Sequence, residues 1–223
     1  MTLTTEQLTS LFTNCIGTRT VGGRFIEPLR FSTAQDAHYE KVGFGTRAHC
    51  TAGIALDFTY DGSLVAFDYI FTGCTSRTWF TIDLYADGVM LYTMQSLTTG
   101  EGQTHFEYRF EEKKPRRVQI YLPYTCGIAL AGFTVDDGAA VAATDRSGAK
   151  KLLLLGDSIT HGSDARYTSR CYATLVGMHF DAVAVNQGVG GYFFDERIID
   201  GALDFKPDAV TVAYGTNDWG RHK

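Results

Sequence analysis

Hydrophobic and polar positions alternate along much of the first two thirds of the chain. From Ile54 to Tyr60, the residues Ile54, Leu56, Phe58 and Tyr60 fall on one side and Ala55, Asp57 and Thr59 on the other, the period of two that predicts a half-buried strand. Asp61-Gly62 leads into a second run, Leu64 to Phe71, and Asp87-Gly88 joins Trp79 to Tyr85 with Val89 to Met94. Both Asp-Gly pairs predict primed hairpin turns, because glycine accepts the positive φ that such turns need. Further strands are predicted at His105 to Phe110, Arg117 to Leu122 and Ile128 to Phe133, after a short helix at Thr5 to Phe12. Short strands at this spacing imply an antiparallel β-sandwich of jelly-roll type.

Near residue 145 the pattern changes. A stretch rich in Ala, Asp, Gly and Ser from Asp136 to Lys150 reads as a linker, which divides the chain into a sandwich domain, 1–145, and a second domain, 150–223. Lys151 to Leu155 is a nearly continuous apolar run, as in a parallel strand covered on both faces. A helix is predicted at Ser169 to Phe180, a strand at Ala182 to Val185, a second helix at Asp195 to Leu203 and a third strand at Ala209 to Ala213. That order is the one of a doubly wound α/β sheet, whose ligands bind beyond the carboxyl ends of the strands.

All three of those strand ends carry candidate chemistry. The first gives Gly156-Asp157-Ser158, where a serine stands among the N–H groups of a tight turn and a following helix. Read alone, Asp157 or Ser158 is equally a helix cap. The second gives Asn186-Gln187-Gly188-Val189-Gly190-Gly191, either a loop that aims N–H groups at a ligand or a plain flexible connection. The third gives Gly215-Thr216-Asn217-Asp218, an amide donor or a turn former.

Together the three blocks resemble those of the SGNH, or GDSL-type, hydrolases, and the resemblance covers about residues 150 to 223. It implies an incomplete flavodoxin-like α/β sheet in which Ser158 is the nucleophile, and in which Gly191 and Asn217 complete an oxyanion hole with the N–H of Ser158. A β-sandwich ahead of such a sheet is similar to the arrangement in carbohydrate esterases of family two, and Ile82-Asp83-Leu84-Tyr85 is similar to an Asp-Leu-Tyr signature of their sandwich domains. The resemblance therefore implies a serine esterase that removes small acyl groups, such as acetyl, from carbohydrate. The alternatives are a glycan-binding module without catalysis, a degenerate hydrolase, and a lipase or acyl-transferring relative.

The family's fourth block, Asp-x-x-His, is absent from the sequence. Of the six histidines, His161 is expected at the mouth of the site and His222 lies next to the end of the chain. The strand at Ala209 to Ala213 is expected at a sheet edge with no helix after it, which points to a truncated chain and offers an edge at which a second copy can pair.

Composition changes this picture little. With 44% hydrophobic residues the chain can fill real cores, and a net charge of -5 gives no footprint for nucleic acid. The cluster Lys113-Lys114-Pro115-Arg116-Arg117 reads as a solvated turn. There is neither a signal peptide nor an apolar run of about 20 residues, so the expected location is the cytoplasm and no membrane partner is implied. Five scattered cysteines without a C-x-x-C pair are expected to be free thiols, and neither a metal nor a nucleotide cofactor is implied.

Overall fold

The computed structural model describes residues 1–98 and 104–221. In chain order the first elements are α1 (Thr5–Leu11), β1 (Phe12–Thr13), β2 (Gly17–Val21), β3 (Phe25–Leu29), α2 (Thr33–Lys41), α3 (Gly45–Ala48), β4 (Ala55–Tyr60) and β5 (Leu64–Cys74). Then follow β6 (Trp79–Ala86), β7 (Val89–Leu97), β8 (His105–Arg109), β9 (Arg116–Tyr121), β10 (Cys126–Val135) and β11 (Val141–Ala143). The last part holds β12 (Lys151–Gly156), α4 (Ser158–His161), α5 (Tyr172–His179), β13 (Val183–Gly188), β14 (Ala209–Ala213) and α6 (Thr216–Arg221).

Two antiparallel sheets face each other. One runs β1-β4-β9-β6-β7 with β11 added on β4, and the other runs β2-β3-β10-β5-β8. Between them Phe58, Ile82 and Val118 of the first sheet meet Phe67, Phe106 and Leu130 of the second in one buried core. The Phe67 ring stacks on Phe106 at 4.9 Å and on Phe133 at 5.9 Å.

The two Asp-Gly turns behave differently. Asp87 and Gly88 have φ of 49° and 80°, as a primed hairpin needs, and β6 and β7 are neighbours. Asp61-Gly62 makes no hairpin, because β4 and β5 belong to different sheets. The carboxylate of Asp136 shapes that crossing instead, accepting hydrogen bonds from the Leu64 N–H at 2.8 Å and the Tyr60 hydroxyl at 2.9 Å.

Strand β4 is also not half-buried. Of its residues only Thr59 is exposed, and Asp57 is buried against Arg117 at 2.6 and 2.8 Å. The second face is covered because Ala55, Tyr85 and Tyr121 pack with Met178 of α5. The basic cluster is a solvated turn only as far as Lys113 and Lys114, which are exposed ahead of β9; Arg116 is buried at the start of that strand, its guanidinium over the Phe110 ring at 4.1 Å.

The parallel sheet has the order β13-β12-β14, with β12 in the middle. Strand β14 is an edge exposed along its whole length, with Val210 and Val212 at 49% and 58%. Helix α6 begins after it, so the expectation that no helix follows β14 is corrected.

Two predicted helices are changed by contacts with the sandwich. The helix expected from Ser169 starts only at Tyr172, after a 3-10 turn at Thr168–Arg170. There the Thr168 N–H donates to Thr81 Oγ1 at 2.9 Å and the Ser169 N–H to Asp83 Oδ2 at 2.8 Å. The helix expected at Asp195 to Leu203 is reduced to a 3-10 turn at Glu196–Ile198. Gln35 donates to the Ile198 carbonyl at 2.6 Å and Ser32 to Asp200 at 2.6 Å, so polar groups near the start of α2 hold this segment in another shape.

No helix of the described residues is long and apolar enough to cross a membrane, and none of their His, Cys, Asp and Glu side chains form a group that could hold a metal ion. The five cysteines are free.

Candidate active site

Strand β12 ends at Gly156, and the buried Asp157 caps α4 by accepting a hydrogen bond from the Ile159 N–H at 3.0 Å. Capping therefore falls to Asp157 and not to Ser158. Ser158 is the first residue of α4, half-buried, and its hydroxyl has no hydrogen-bond partner among the described residues.

The loop after β13 is folded tightly over this turn. A Cβ on Gly188 would stand against the His161 N and 2.6 Å from the Thr160 carbonyl carbon, so only glycine fits there. Asn186 donates to the Thr160 carbonyl at 2.7 Å and accepts from the Gly188 N–H at 2.9 Å. Gly191 has φ of 78°, the left-handed region that glycine enters without a Cβ penalty.

His161 joins this loop to the sandwich. A carbonyl can only accept, so Nε2–H donates to the Tyr124 carbonyl at 2.8 Å and Nδ1 accepts from the Gly190 N–H at 3.1 Å. Burial, followed by the nearby Arg30 and Arg47 cations, pushes its pKa down to about 3. With both nitrogens used and the ring neutral, His161 lines the cleft as expected, but from a buried position rather than from its open mouth, and it positions the glycine loop. His38, His49, His105 and His179 do not line the Ser158 cleft, and His222 lies outside the described residues.

Arg30, which sequence patterns did not single out, holds the same loop from the other side. Its Nε donates to the Cys50 carbonyl at 2.6 Å, Nη1 to the Asn186 and Gly188 carbonyls at 2.8 Å each, and Nη2 to the Arg47 and Ala48 carbonyls at 2.8 and 3.1 Å. These bonds use all five guanidinium N–H groups. Burial lowers its pKa to about 10, which still leaves a cation at neutral pH.

The result is an open cleft of about 250 Å³ whose lining includes Ser158, Gly190, Gly191, Tyr124, Arg47 and Arg77, with Arg47 beside the two glycines. Ser158 and Gly191 thus share one cleft. Asn217 does not line it; its side-chain N–H donates to the carbonyl of Tyr192, the residue after Gly191, at 2.7 Å.

No curated protein sequence matches the chain. Residues 154–223 match the family model described as the GDSL-like Lipase/Acylhydrolase family. That segment carries the GDSL-like pattern. Around it the chain is similar in fold to a salicylyl-acyltransferase, SsfX3, from a tetracycline biosynthetic pathway, at 19% identity and a TM-score of 0.82, covering 99% of this chain and 64% of that one. It is also similar to an acetyl xylan esterase from the rumen bacterium Butyrivibrio proteoclasticus, at 19% identity and TM-score 0.56, over 77% of this chain and 58% of that one. A family two carbohydrate esterase from Clostridium thermocellum, solved with cellohexaose, gives 15% identity and TM-score 0.56 over 76% and 61%. The chain therefore spans less than two thirds of the length of each. At these identities the likeness is one of fold, and it extends from the GDSL-like segment into the sandwich.

Proposed function

We propose that the chain carries the nucleophile and oxyanion cradle of an acyl-ester-processing enzyme, a serine esterase that takes small acyl groups, acetyl first, from a carbohydrate ester. The observation that supports this most is the meeting of Ser158 and Gly191 in one small cleft at the ends of neighbouring parallel strands. Ser158 Oγ attacks the ester carbonyl carbon. The carbonyl oxygen takes up the electron pair and is met by the N–H groups of Ser158 and Gly191 and by the Asn217 amide. An amide carries two N–H donors, and Tyr192 holds one of them, which anchors the second. With no side-chain base at hand among the described residues, solvent water takes the Ser158 proton and returns a proton to the leaving oxygen as the intermediate collapses and expels the alcohol. A water molecule then attacks the acyl-serine, releasing the acid and restoring the Ser158 hydroxyl. Each oxyanion donor is commonly worth about 3 kcal/mol in the transition state.

Among the described residues no side chain stands ready to take the Ser158 proton, since His161 is fully engaged. Turnover by this chain is therefore expected to be slow, because loss of a triad member typically costs orders of magnitude. The test is hydrolysis of p-nitrophenyl acetate, together with intact-mass detection of a bound acyl group or fluorophosphonate. Both signals are expected in the wild-type chain and lost in Ser158→Ala. Equal rates and equal labelling in the two proteins would sink the assignment.

A second reading is acyl transfer to an acceptor other than water, favoured by the likeness to the salicylyl-acyltransferase over nearly the whole chain. An acylated product that forms only when an acceptor alcohol is present separates it from hydrolysis. Retention on a xylan gel without any labelling of Ser158 would instead favour glycan binding alone.

A further inference from the structure

The wall of the Ser158 cleft carries three groups capable of positive charge, and they are not alike. Arg77 is paired with the Asp164 carboxylate. His161 is neutral and closed off by its two hydrogen bonds. The Arg47 guanidinium, half-buried, makes no ion pair among the described residues.

Its surroundings explain why it stays where it is. The Arg47 guanidinium lies over the Phe44 ring at 5.4 Å, and Nη1 comes to 3.5 Å from the point where a Cβ on Gly191 would stand. The Arg47 carbonyl is fixed from below by Arg30. Acids exist close by in sequence, on α2, but Asp36 is engaged by His49 at 2.7 Å and Arg19 at 3.7 Å, and Glu40 lies 3.5 Å from His49. Behind the loop Arg30 adds a second cation whose partners are all carbonyls. The side of the cleft next to Gly191 is thus positive, in a chain whose net charge is -5.

A planar guanidinium over a ring presents a two-pronged donor edge, the shape that a carboxylate fits with two parallel hydrogen bonds. We propose that Arg47 is a specificity residue that binds a carboxylate of the substrate, so that the ester taken up beside Ser158 is an acidic one. This rests on the reading of the cleft as an acyl-ester site. It refines the carbohydrate-ester reading to an acidic ester: an acylated hydroxy acid such as an acetylated sugar acid, with the carboxylate on the alcohol side, or, in place of acetyl, a dicarboxylic acyl group whose free carboxylate lies on the acyl side.

The test is binding, which needs no turnover. Monomethyl succinate places the carboxylate on the acyl side and acetoxyacetate places it on the alcohol side, and each has a neutral methyl ester as its control. Titration calorimetry with the wild-type chain, Ser158→Ala, Arg47→Met and Arg47→Lys is expected to show at least one anion binding to the first two. The same anion should bind about ten- to a hundred-fold more weakly to Arg47→Met, with an intermediate value for Arg47→Lys, while the neutral ester is unchanged across the series. An unchanged melting temperature shows that Arg47→Met is folded, and if it is not, Arg47→Lys carries the comparison. The proposal is overturned if neither anion binds better than its methyl ester, or if the affinity does not depend on Arg47. Loss of the catalytic reading would look different: no labelling of Ser158, with Arg47-dependent anion binding intact.

Discussion

The sandwich and the parallel sheet are held together by different means. In the sandwich, rings from two sheets close on each other, with Phe58 of one sheet edge-on to Phe133 of the other at 5.6 Å and Phe133 stacked in turn on Phe67. The parallel unit has only small apolar clusters of its own, such as Leu154 with Ala173 and Ala184, and its outer strand β14 is bare. Apolar contacts such as Val189 and Tyr192 with Phe31 and Tyr39 join it to the first half of the chain, and beside them a dense set of polar contacts reaches across to the glycine loop and to the turn before α5. Arg30 and Gln35 grip the glycine loop, Asp83 and Thr81 grip the turn before α5, and the Tyr124 carbonyl holds His161. Apolar packing is tolerant of detail, whereas hydrogen bonds between buried groups fix positions to within a few tenths of an ångström. The Ser158 cleft is built from the second kind.

The sharpest way to break this contrast is at the centre of the sandwich. Phe67→Ala is expected to cost about 3–5 kcal/mol, read as a fall in the urea midpoint, because it leaves a cavity between two stacked rings. If the parallel unit depends on the sandwich, probes on β4 and on α5 will lose structure in one transition. Two separate transitions would refute that dependence.

A smaller effect is expected from Arg30→Met, and a more local one. Water that enters beside the shorter methionine takes over most of the five carbonyls, so the net cost is expected to be about that of one or two unpaired groups, roughly 1–3 kcal/mol. Amide exchange should quicken at Gly188 to Gly191 and stay slow along β4. Uniform quickening in both regions would mean that Arg30 supports the whole fold and not the loop.

The smallest concerns Asp136, where the sandwich itself relies on a polar group. The N–H groups of Leu64 and Ser63 hold its carboxyl well below the usual carboxylate range. A folded value below the unfolded one, near about 3.9, means that the contribution is present above that pH and fades as the pH falls toward the folded value. Asp136→Asn should lose roughly 1 kcal/mol at neutral pH and show a shallower loss of stability between pH 5 and 3. Parallel acid limbs in the two proteins would exclude Asp136 as a source of the pH dependence.

Much of the frame was legible in the sequence, because alternation marks strands and a nearly continuous apolar run marks the buried parallel strand. Strands β6, β9, β12 and β14 lie within a residue or two of the expected positions. Helix α2 was missed for a physical reason: its buried residues are Gln35 and Tyr39, so it shows no apolar stripe and is anchored by amide hydrogen bonds instead. The predicted helix at Asp195 to Leu203 has suitable spacing, yet Ser32 and Gln35, more than 150 positions away, decide its shape.

The candidate site divides in the same way. Ser158 and Gly191 are visible in short motifs, and the structure brings them into one cleft. Arg30 left no signal, since an arginine that binds carbonyls has no acidic partner to be noticed with. Arg47 left none either, its neighbours being set by the fold. Ile82-Asp83-Leu84-Tyr85 acquires a physical sense: Leu84 faces the sandwich core, while Asp83 accepts from the Ser169 N–H and Tyr85 donates to the Ser169 hydroxyl at 3.0 Å.

The five bonds of Arg30 also set an order in time. Three of its acceptors lie within 20 residues of it, but the Asn186 and Gly188 carbonyls are 156 and 158 positions away. During synthesis, at about 5–20 residues per second, the guanidinium is made several seconds or more before those two carbonyls exist. Until then it stays hydrated or only partly satisfied. The glycine loop is therefore among the last parts of the molecule to be locked, and the cleft beside Ser158 takes shape only after the two distant halves of the chain have met.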